Sequence, residues 1–226
     1  VDIKCIIPAR GNSKGIPRKN IIEFAGKPLL AWTIEQAKRS SHIDEVYVSS
    51  DDEEILKVSE QYGAIPIRRP DKISGDHATS ESCIAHALPH MGAPLSVIFL
   101  QATSPLREVK DIDLAIEKFN NLQLDSLFSA TLLEDFFIWS VEEGRVMSYN
   151  YNYKNRKRRQ DVVNQIVENG SFYIFKSSIL RRDNNRLGGK IGYSLMESWK
   201  IHEIDSYDDL ELCRHIFIKK GLDRNG

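Results

Sequence analysis

Residues Ile6 to Asn20 read IIPARGNSKGIPRKN, an apolar run that opens into a loop alternating glycines with cations. Gly11 and Gly15 let the main chain turn and bring its N–H groups close to a ligand. Arg10, Lys14, Arg18 and Lys19 supply charge, and Pro8 and Pro17 stiffen the two ends. A strand that delivers such a loop is shaped to hold a polyphosphate; the alternative is a solvated basic turn. No G-K-[ST] follows, so it is not a Walker A loop, and the G-x-G-x-x-G of a dinucleotide fold is missing.

Outward from that strand, apolar runs alternate with segments of helical period. Residues 4–8, 45–50, 65–67, 96–100 and 126–131 read as strands, most of them continuous enough to be covered on both faces. Pro28 opens the first helix at a favoured position, with Leu29, Leu30, Thr33, Ile34 and Ala37 as its inward face. Further helices are expected over 52–62, closed by Gly63 in a left-handed cap, and over 80–89, 110–122 and 207–219. The alternation predicts a Rossmann-like α/β domain with a mostly parallel sheet. Ligands of such sheets sit beyond the strand C-termini. There fall the basic loop, Ser50-Asp51-Asp52, and Gln101-Ala-Thr-Ser-Pro-Leu-Arg107.

Composition bounds the function. With 226 residues, 41% hydrophobic and 28% charged, the chain can bury one sizeable core, read as a single domain over 1–226. A net charge of −1 argues against a bulk nucleic-acid binder. No apolar run reaches the roughly 18 residues of a membrane span and no signal-peptide pattern opens the chain, so no membrane association is expected. Three scattered cysteines, Cys5, Cys83 and Cys213, fit core positions in a reducing compartment rather than a disulfide framework or a zinc site. The expected location is cytoplasmic, or nuclear in a eukaryote.

Residues 136–163 break the alternation. Glu142-Glu143-Gly144 reads as a hairpin turn, followed by a tyrosine- and asparagine-rich stretch and the basic run Lys154-Asn-Arg-Lys-Arg-Arg159. This is an excursion from the sheet, a subdomain or oligomerisation arm. The basic run is open to three readings: a nuclear-targeting signal, a solvated loop, or a grip on a substrate anion.

Taken in order, the opening IPARGNSKGIPRKN, SSDDEEI at 49–55, RRP at 68–70, QATSPLR at 101–107, RRQD at 158–161, NGSFYIF at 169–175 and EIDSYDD at 203–209 resemble the acylneuraminate cytidylyltransferases, the CMP-sialic acid synthetases. The likeness spans nearly the whole chain. The related Kdo cytidylyltransferases are a weaker match, because their first loop diverges after the Ala-Arg pair.

The resemblance implies a nucleotidyltransferase fold and a reaction. CTP and a nine-carbon 2-keto acid sugar are joined, the anomeric hydroxyl attacking the α-phosphorus and pyrophosphate departing, with N-acetylneuraminate the leading acceptor. Legionaminate or another diamino sugar is the near alternative; a catalytically silent nucleotide-sugar-binding protein and a sugar-1-phosphate nucleotidylyltransferase are more distant ones. On this reading Arg10 and Lys14 neutralise the β- and γ-phosphates, Ser13 hydrogen-bonds them, Lys19 approaches the α-phosphate and Asn20 meets the ribose or α-phosphate. Arg69 and residues 76–80, Ser80 among them, form the cytosine and ribose wall, although a surface ion pair explains Arg69 as well. Gln101, Ser104, Arg159, Asn169 and Tyr173 match sugar-side positions. In an extended strand Asn169, Ser171 and Tyr173 share one face and Gly170, Phe172 and Ile174 the other, while Tyr173 and Phe175 also read as plain core aromatics.

Glu203 and Asp205 flank Ile204, so an extended segment projects both carboxylates to one side, where hard oxygens suit Mg2+. The competing reading is that Asp205 or Ser206 caps the helix that follows. The family usually has Asp-Ile-Asp here, and the longer Glu203 arm leaves two readings, a direct ligand or an outer, water-mediated one. Members are homodimers in which the excursion contacts the partner subunit.

Overall fold

A computed structural model describes residues 3–75, 78–132, 137–156, 158 and 165–225. Seven strands form the central sheet in the order β11-β7-β10-β6-β1-β4-β5. These are β1 (Ile3–Pro8), β4 (Glu45–Ser50), β5 (Ile65–Arg68), β6 (Ser96–Leu100), β7 (Ser126–Leu132), β10 (Ile166–Lys176) and β11 (Ile191–Leu195). Among the described residues of this sheet, β10 runs against its neighbours, β6 and β7, and the other pairings are parallel. The expected mostly parallel α/β architecture is what forms. A short ribbon of β2 (Glu23–Phe24) and β3 (Lys27–Pro28) leads into the first helix.

The helices are α1 (Leu29–Arg39), α2 (Glu53–Gln61), α3 (Ser80–His90), α4 (Val109–Asn121), α5 (Ser177–Asp183) and α6 (Tyr207–Lys219). Side chains of α1, α2 and α4 bury one face of the sheet against Ile3, Cys5, Ile7, Ile98 and Phe172. Those of α3 and α5 cover the other, against Ile6, Val97, Phe99, Tyr173 and Phe175. This two-sided cover explains the unbroken apolar runs of β1 and β6. A third cluster joins α6 to the first loop through Ile16, Phe24, Trp32, Leu106, Ile204 and Phe217. Gly63 ends α2 at φ +79°, as its position predicted.

The chain crosses from β1 to β4 and β5 on one side, then returns to β6 on the other. The switch point therefore lies at β1, beside the loops after β1 and β6. Because β10 is antiparallel, its starting residues arrive at the edge where the parallel strands end. Asn169 and Gly170 thus join a site that parallel topology alone would not bring them to.

The excursion begins as expected. β8 (Trp139–Glu142) and β9 (Arg145–Ser148) form a separate hairpin, its two-residue turn carrying Glu143 and Gly144 at positive φ. Trp139 packs on Tyr151 and Tyr153, with ring centroids 5.7 and 5.5 Å away, while Val141, Val146 and Met147 are exposed.

One buried ion cluster braces the segment that precedes the site. Lys200, 1% exposed, places Nζ 2.7 Å from Glu108, 2.7 Å from Asp111 and 2.5 Å from Glu197, tying the start of α4 to the turn Ser198–Ile201. Burial pushes the Glu197 carboxyl up, but its bond to the ammonium outweighs this and holds it at about 2. A folded-state value below the ordinary 4.5 means that this contribution is present above 4.5 and is lost as pH falls toward 2. Lys200→Met strands three carboxylates and should cost about 3–5 kcal/mol. Thermal melts between neutral and acid pH check both points: the variant should melt well below wild type at pH 7, and the gap should narrow in acid. A gap that does not change with pH would remove the ionic origin.

Candidate functional site

Beyond the C-terminal ends of β1, β4 and β6 lies a cleft of about 370 Å³. Its floor is knit by the backbone, with Ala9 N donating to Ser49 O (2.9 Å), Arg69 N to Ser50 O (2.8 Å) and Gln101 N to Ser171 O (3.1 Å). Arg10, Ser13, Lys19 and Asn20 line one wall, Arg69 and Ser80 another, and Gln101, Glu203 and Asp205 the third. Nine of the fourteen residues singled out from sequence therefore share one cavity. A broader shelf of about 620 Å³, lined by Glu168, Asn169, Gly170 and Tyr173, meets the cleft at Glu203 and Asp205.

The first loop works as a set of clamps. Asn20 donates from its amide to Arg10 O (2.9 Å), and Gly11 N donates to Asp51 Oδ1 (3.1 Å). The same Asp51 oxygen accepts from Arg69 Nη2 (3.4 Å), so one carboxylate links the phosphate-type loop to the opposite wall. Sequence reasoning gave Asp51 no role, although its place just after β4 was a usable signal. Arg18 departs from the expected set of ligand-facing cations. It forks onto Asp52 (3.1 and 3.0 Å) and Glu54 (2.7 Å) and is spent on α2. Lys14 is exposed on the loop and lines neither cavity. Gly15 has a steric reason: a Cβ there would lie 2.0 Å from Asp205 O.

Lys19 bridges the two sides of the cleft, Nζ donating to Ile204 O and to Asp205 Oδ1, both at 2.8 Å. Ile204 is fully buried, so its neighbours Glu203 and Asp205 project the other way, into the cavities. The N-cap of α6 is Ser206, in a reciprocal capping box with Asp209. Capping thus does not explain Asp205. Burial and the neighbouring Asp205 push the Glu203 carboxyl up, against the pull of Lys19, Arg107 and the Ser104 hydroxyl. Ser104 itself is 2% exposed and lines neither cavity, so it does not stand on the sugar-side surface that the sequence suggested.

The expected alternation of β10 fails at its start. The register shifts between Glu168 and Tyr173, with Gly170 at φ +67°. A side chain at Gly170 would meet Glu203 Oε1 at 2.0 Å, so the bulge brings the backbone against that carboxylate. Asn169, Ser171 and Tyr173 consequently do not share a face. Asn169 donates to Met196 Sδ (3.3 Å), Ser171 Oγ accepts from Arg107 Nη1 (3.1 Å) toward α1, and the Tyr173 ring stacks on Phe99 on the α3 side, centroids 5.7 Å apart. Tyr173 is both core aromatic and shelf lining, and its hydroxyl donates to Glu168.

Arg107 closes the motif that begins at Gln101. Its guanidinium, 1% exposed, donates to Gln36 Oε1 (3.2 Å), Thr33 Oγ1 (2.9 Å), Ser171 O (2.8 Å) and Gln101 O (3.4 Å). Burial pulls its pKa down to about 10. Gln101 in turn donates to Gly170 O (2.5 Å). Three sequence expectations fall wholly or partly outside the described residues: Arg159, positions 76–77 of the cytosine wall, and positions 136, 157 and 159–163 of the excursion.

Two other chemistries are set aside. Glu108, Asp111 and Glu197 bring carboxylate oxygens within 4.8 Å of one another, but the Lys200 ammonium fills their centre. All three cysteines are buried and free, and burial pushes the thiols of Cys5 and Cys213 up, the latter to about 12, so neither suits a nucleophile. Among the described residues no helix is long and apolar enough to cross a membrane.

A cation-lined cleft joined to a carboxylate pair on an α/β switch point is a nucleotidyltransferase arrangement. Residues 4–161 match the family model described as Cytidylyltransferase. A pseudaminic acid cytidylyltransferase of Campylobacter jejuni is 36% identical over 94% of this chain and 95% of its own length. N-acylneuraminate cytidylyltransferase A of Danio rerio is 35% identical over 97% of this chain, which spans about half (51%) of that relative. The solved structure of a CMP:2-keto-3-deoxy-manno-octonic acid synthetase complexed with CTP covers 97% of the chain at TM-score 0.75 and 16% identity, a likeness of fold. The chain belongs to the cytidylyltransferase family and is a CTP-dependent nucleotidyltransferase.

Proposed function

We propose that this enzyme transfers CMP from CTP to the anomeric hydroxyl of a nonulosonic acid, releasing pyrophosphate. The carrying observation is that Glu203 and Asp205 border both the cation-lined cleft and the shelf, where a nucleotide and a sugar would have to meet. N-acetylneuraminate is the first acceptor to try. A diamino nonulosonate is the second reading, favoured by the match to the pseudaminic acid enzyme over nearly its whole length.

In this reading the triphosphate lies along Arg10, Ser13 and the N–H groups of the first loop, with Lys14 reaching in from the loop surface. Positioning and charge neutralisation do the work, and no covalent nucleophile is required. Lys19, between Ile204 O and Asp205, is within reach of the α-phosphate. Asn20, Arg69 and Ser80 hold the nucleoside. Gln101, Asn169 and Tyr173, together with Arg159, address the sugar.

The carboxylates of Glu203 and Asp205 fit a hard divalent cation: they face the same side, and the triphosphate and water can complete the coordination. Mg2+ bound there would neutralise the charge gathering on the departing pyrophosphate. The exposed apolar hairpin β8–β9 is read as the contact to a second copy of the chain. A dimer mass is expected in sedimentation, and an active monomer would remove that role.

Pyrophosphate release from CTP and Mg2+, measured over a panel of sialic, legionaminic, pseudaminic and Kdo acceptors, tests the reaction. Release is expected with one or more nine-carbon acids and little with Kdo. Release only with a sugar-1-phosphate, or with no acceptor, would overturn the proposal. For the metal, Asp205→Asn keeps the fold, because Ser206 supplies the helix cap. Its melting temperature should stay near wild type while turnover falls by about 10²-fold or more and Mn2+ binding, followed by electron paramagnetic resonance, weakens. A stable variant with full turnover and unchanged Mn2+ binding would exclude Asp205 as a ligand.

A further inference from the structure

Between α5 and β11 the chain carries Arg186, a residue with no part in the loops described so far. Its guanidinium carbon lies 4.2 Å from the Tyr173 ring centroid and 5.4 Å from that of Phe99, covering the stacked pair. Its Nη1 pairs with Glu81 Oε1 at 2.6 Å, in a contact whose side chains are only 21% and 19% exposed. Each end of this contact belongs to a different part of the site. Glu81 follows Ser80, a cleft-lining residue, in the first turn of α3, and Phe99 also lines the cleft. Tyr173 and its partner Glu168 line the shelf. The loop is itself fixed, with Asn184 N donating to Leu180 O (2.9 Å) and Leu187 N to Asn185 Oδ1 (2.9 Å).

We infer that Arg186 is a positioning residue that locks the sugar-side wall, through Tyr173 and Glu168, to the first turn of the nucleotide-side helix α3. The inference rests on the proposed reaction for its reading of the two cavities. A guanidinium suits this position, being planar enough to lie on the aromatic pair while its edge meets a carboxylate; an ammonium cannot do both at once. The Tyr173 side chain is held from two directions, by Glu168 at its hydroxyl and by the cation over its ring. Without Arg186 the ring loses its cover and Glu81 its counter-ion. The Glu168 carboxylate, which lines the shelf beside Tyr173, then has no fixed orientation toward a sugar hydroxyl or amide. Helix α3 keeps its place through Cys83, Ile84 and Ala87, so the nucleotide wall is affected less.

The test compares wild type with Arg186→Gln, Arg186→Lys and Glu81→Gln. Pyrophosphate release gives the KM for the sugar, calorimetry gives the Kd for CTP without sugar, and a thermal melt reports stability. Arg186→Gln should raise the sugar KM about tenfold while the CTP Kd moves less than about twofold. Glu81→Gln should act in the same direction, and Arg186→Lys should recover part of the loss. An unchanged sugar KM in folded Arg186→Gln would overturn the role, as would an equal rise in sugar KM and CTP Kd accompanied by a lower melting temperature. Should Arg186→Gln fail to fold, unchanged sugar KM values in Arg186→Lys and Glu81→Gln overturn it. A wild type that uses no nonulosonic acid defeats the proposed reaction and this inference with it; an active wild type isolates the inference.

Discussion

Everything at the mouth of the sheet hangs on a three-residue strap, 203–205. Ile204 is its pin: the side chain sits in the third apolar cluster, the N–H donates to Thr103 O at 2.8 Å, and the carbonyl accepts from Lys19. Three segments far apart in sequence, the first loop, the loop after β6 and the start of α6, are thereby held in one register. The flanking carboxylates face the other way, since extended backbone sends alternate side chains to opposite sides, and Lys19 holds Asp205 there. Gly15 belongs to the same constraint, because its missing side chain leaves room for Asp205 O.

The buried guanidinium of Arg107 makes a complementary point about energetics. A cation removed from water without an adjacent carboxylate is costly unless its donors are satisfied. Here carbonyls and hydroxyls from α1, the Gln101 loop and β10 accept them. The result is a rigid backing for Gln101 and Gly170, and precise sites on loops need such backing.

Periodicity and punctuation made most of the scaffold legible. Five strands and five helices announced themselves through continuous apolar runs, Pro28 and Gly63, and those runs meant two-sided cover. The first loop and the Gln101 motif fall where a parallel sheet puts its ligands, while the roles of Gln101, Glu203 and Asp205 came from the family resemblance and from the spacing of the two carboxylates around Ile204. Other features were hidden for physical reasons. β11 is a five-residue edge strand whose apolar residues Ile191, Tyr193 and Leu195 are the exposed ones, with Gly192 and Ser194 on the inner side, so its pattern does not read as a core strand. The bulge at Gly170 defeats any rule of strict alternation, which is why Asn169 and Tyr173 were assigned to one face. Arg18 and Lys19 are adjacent and chemically alike, yet one is spent on α2 and the other faces the cleft. Only the left-handed backbone at Arg18, φ 55°, separates them.

The antiparallel course of β10 divides the labour of the chain along its length. The cation-bearing walls of the cleft come from the loops after β1, β5 and β6, all within the first 107 residues, while the shelf is built by the strand that returns from the hairpin excursion together with residues 201–209. The two halves meet at the strap and across Arg186. Such a layout lets the returning strand and its excursion diverge, in length or in side chains, without disturbing the phosphate loop. If the shelf takes the acceptor, as proposed, acceptor choice can drift through residues 166–209 while the first 107 residues are inherited intact.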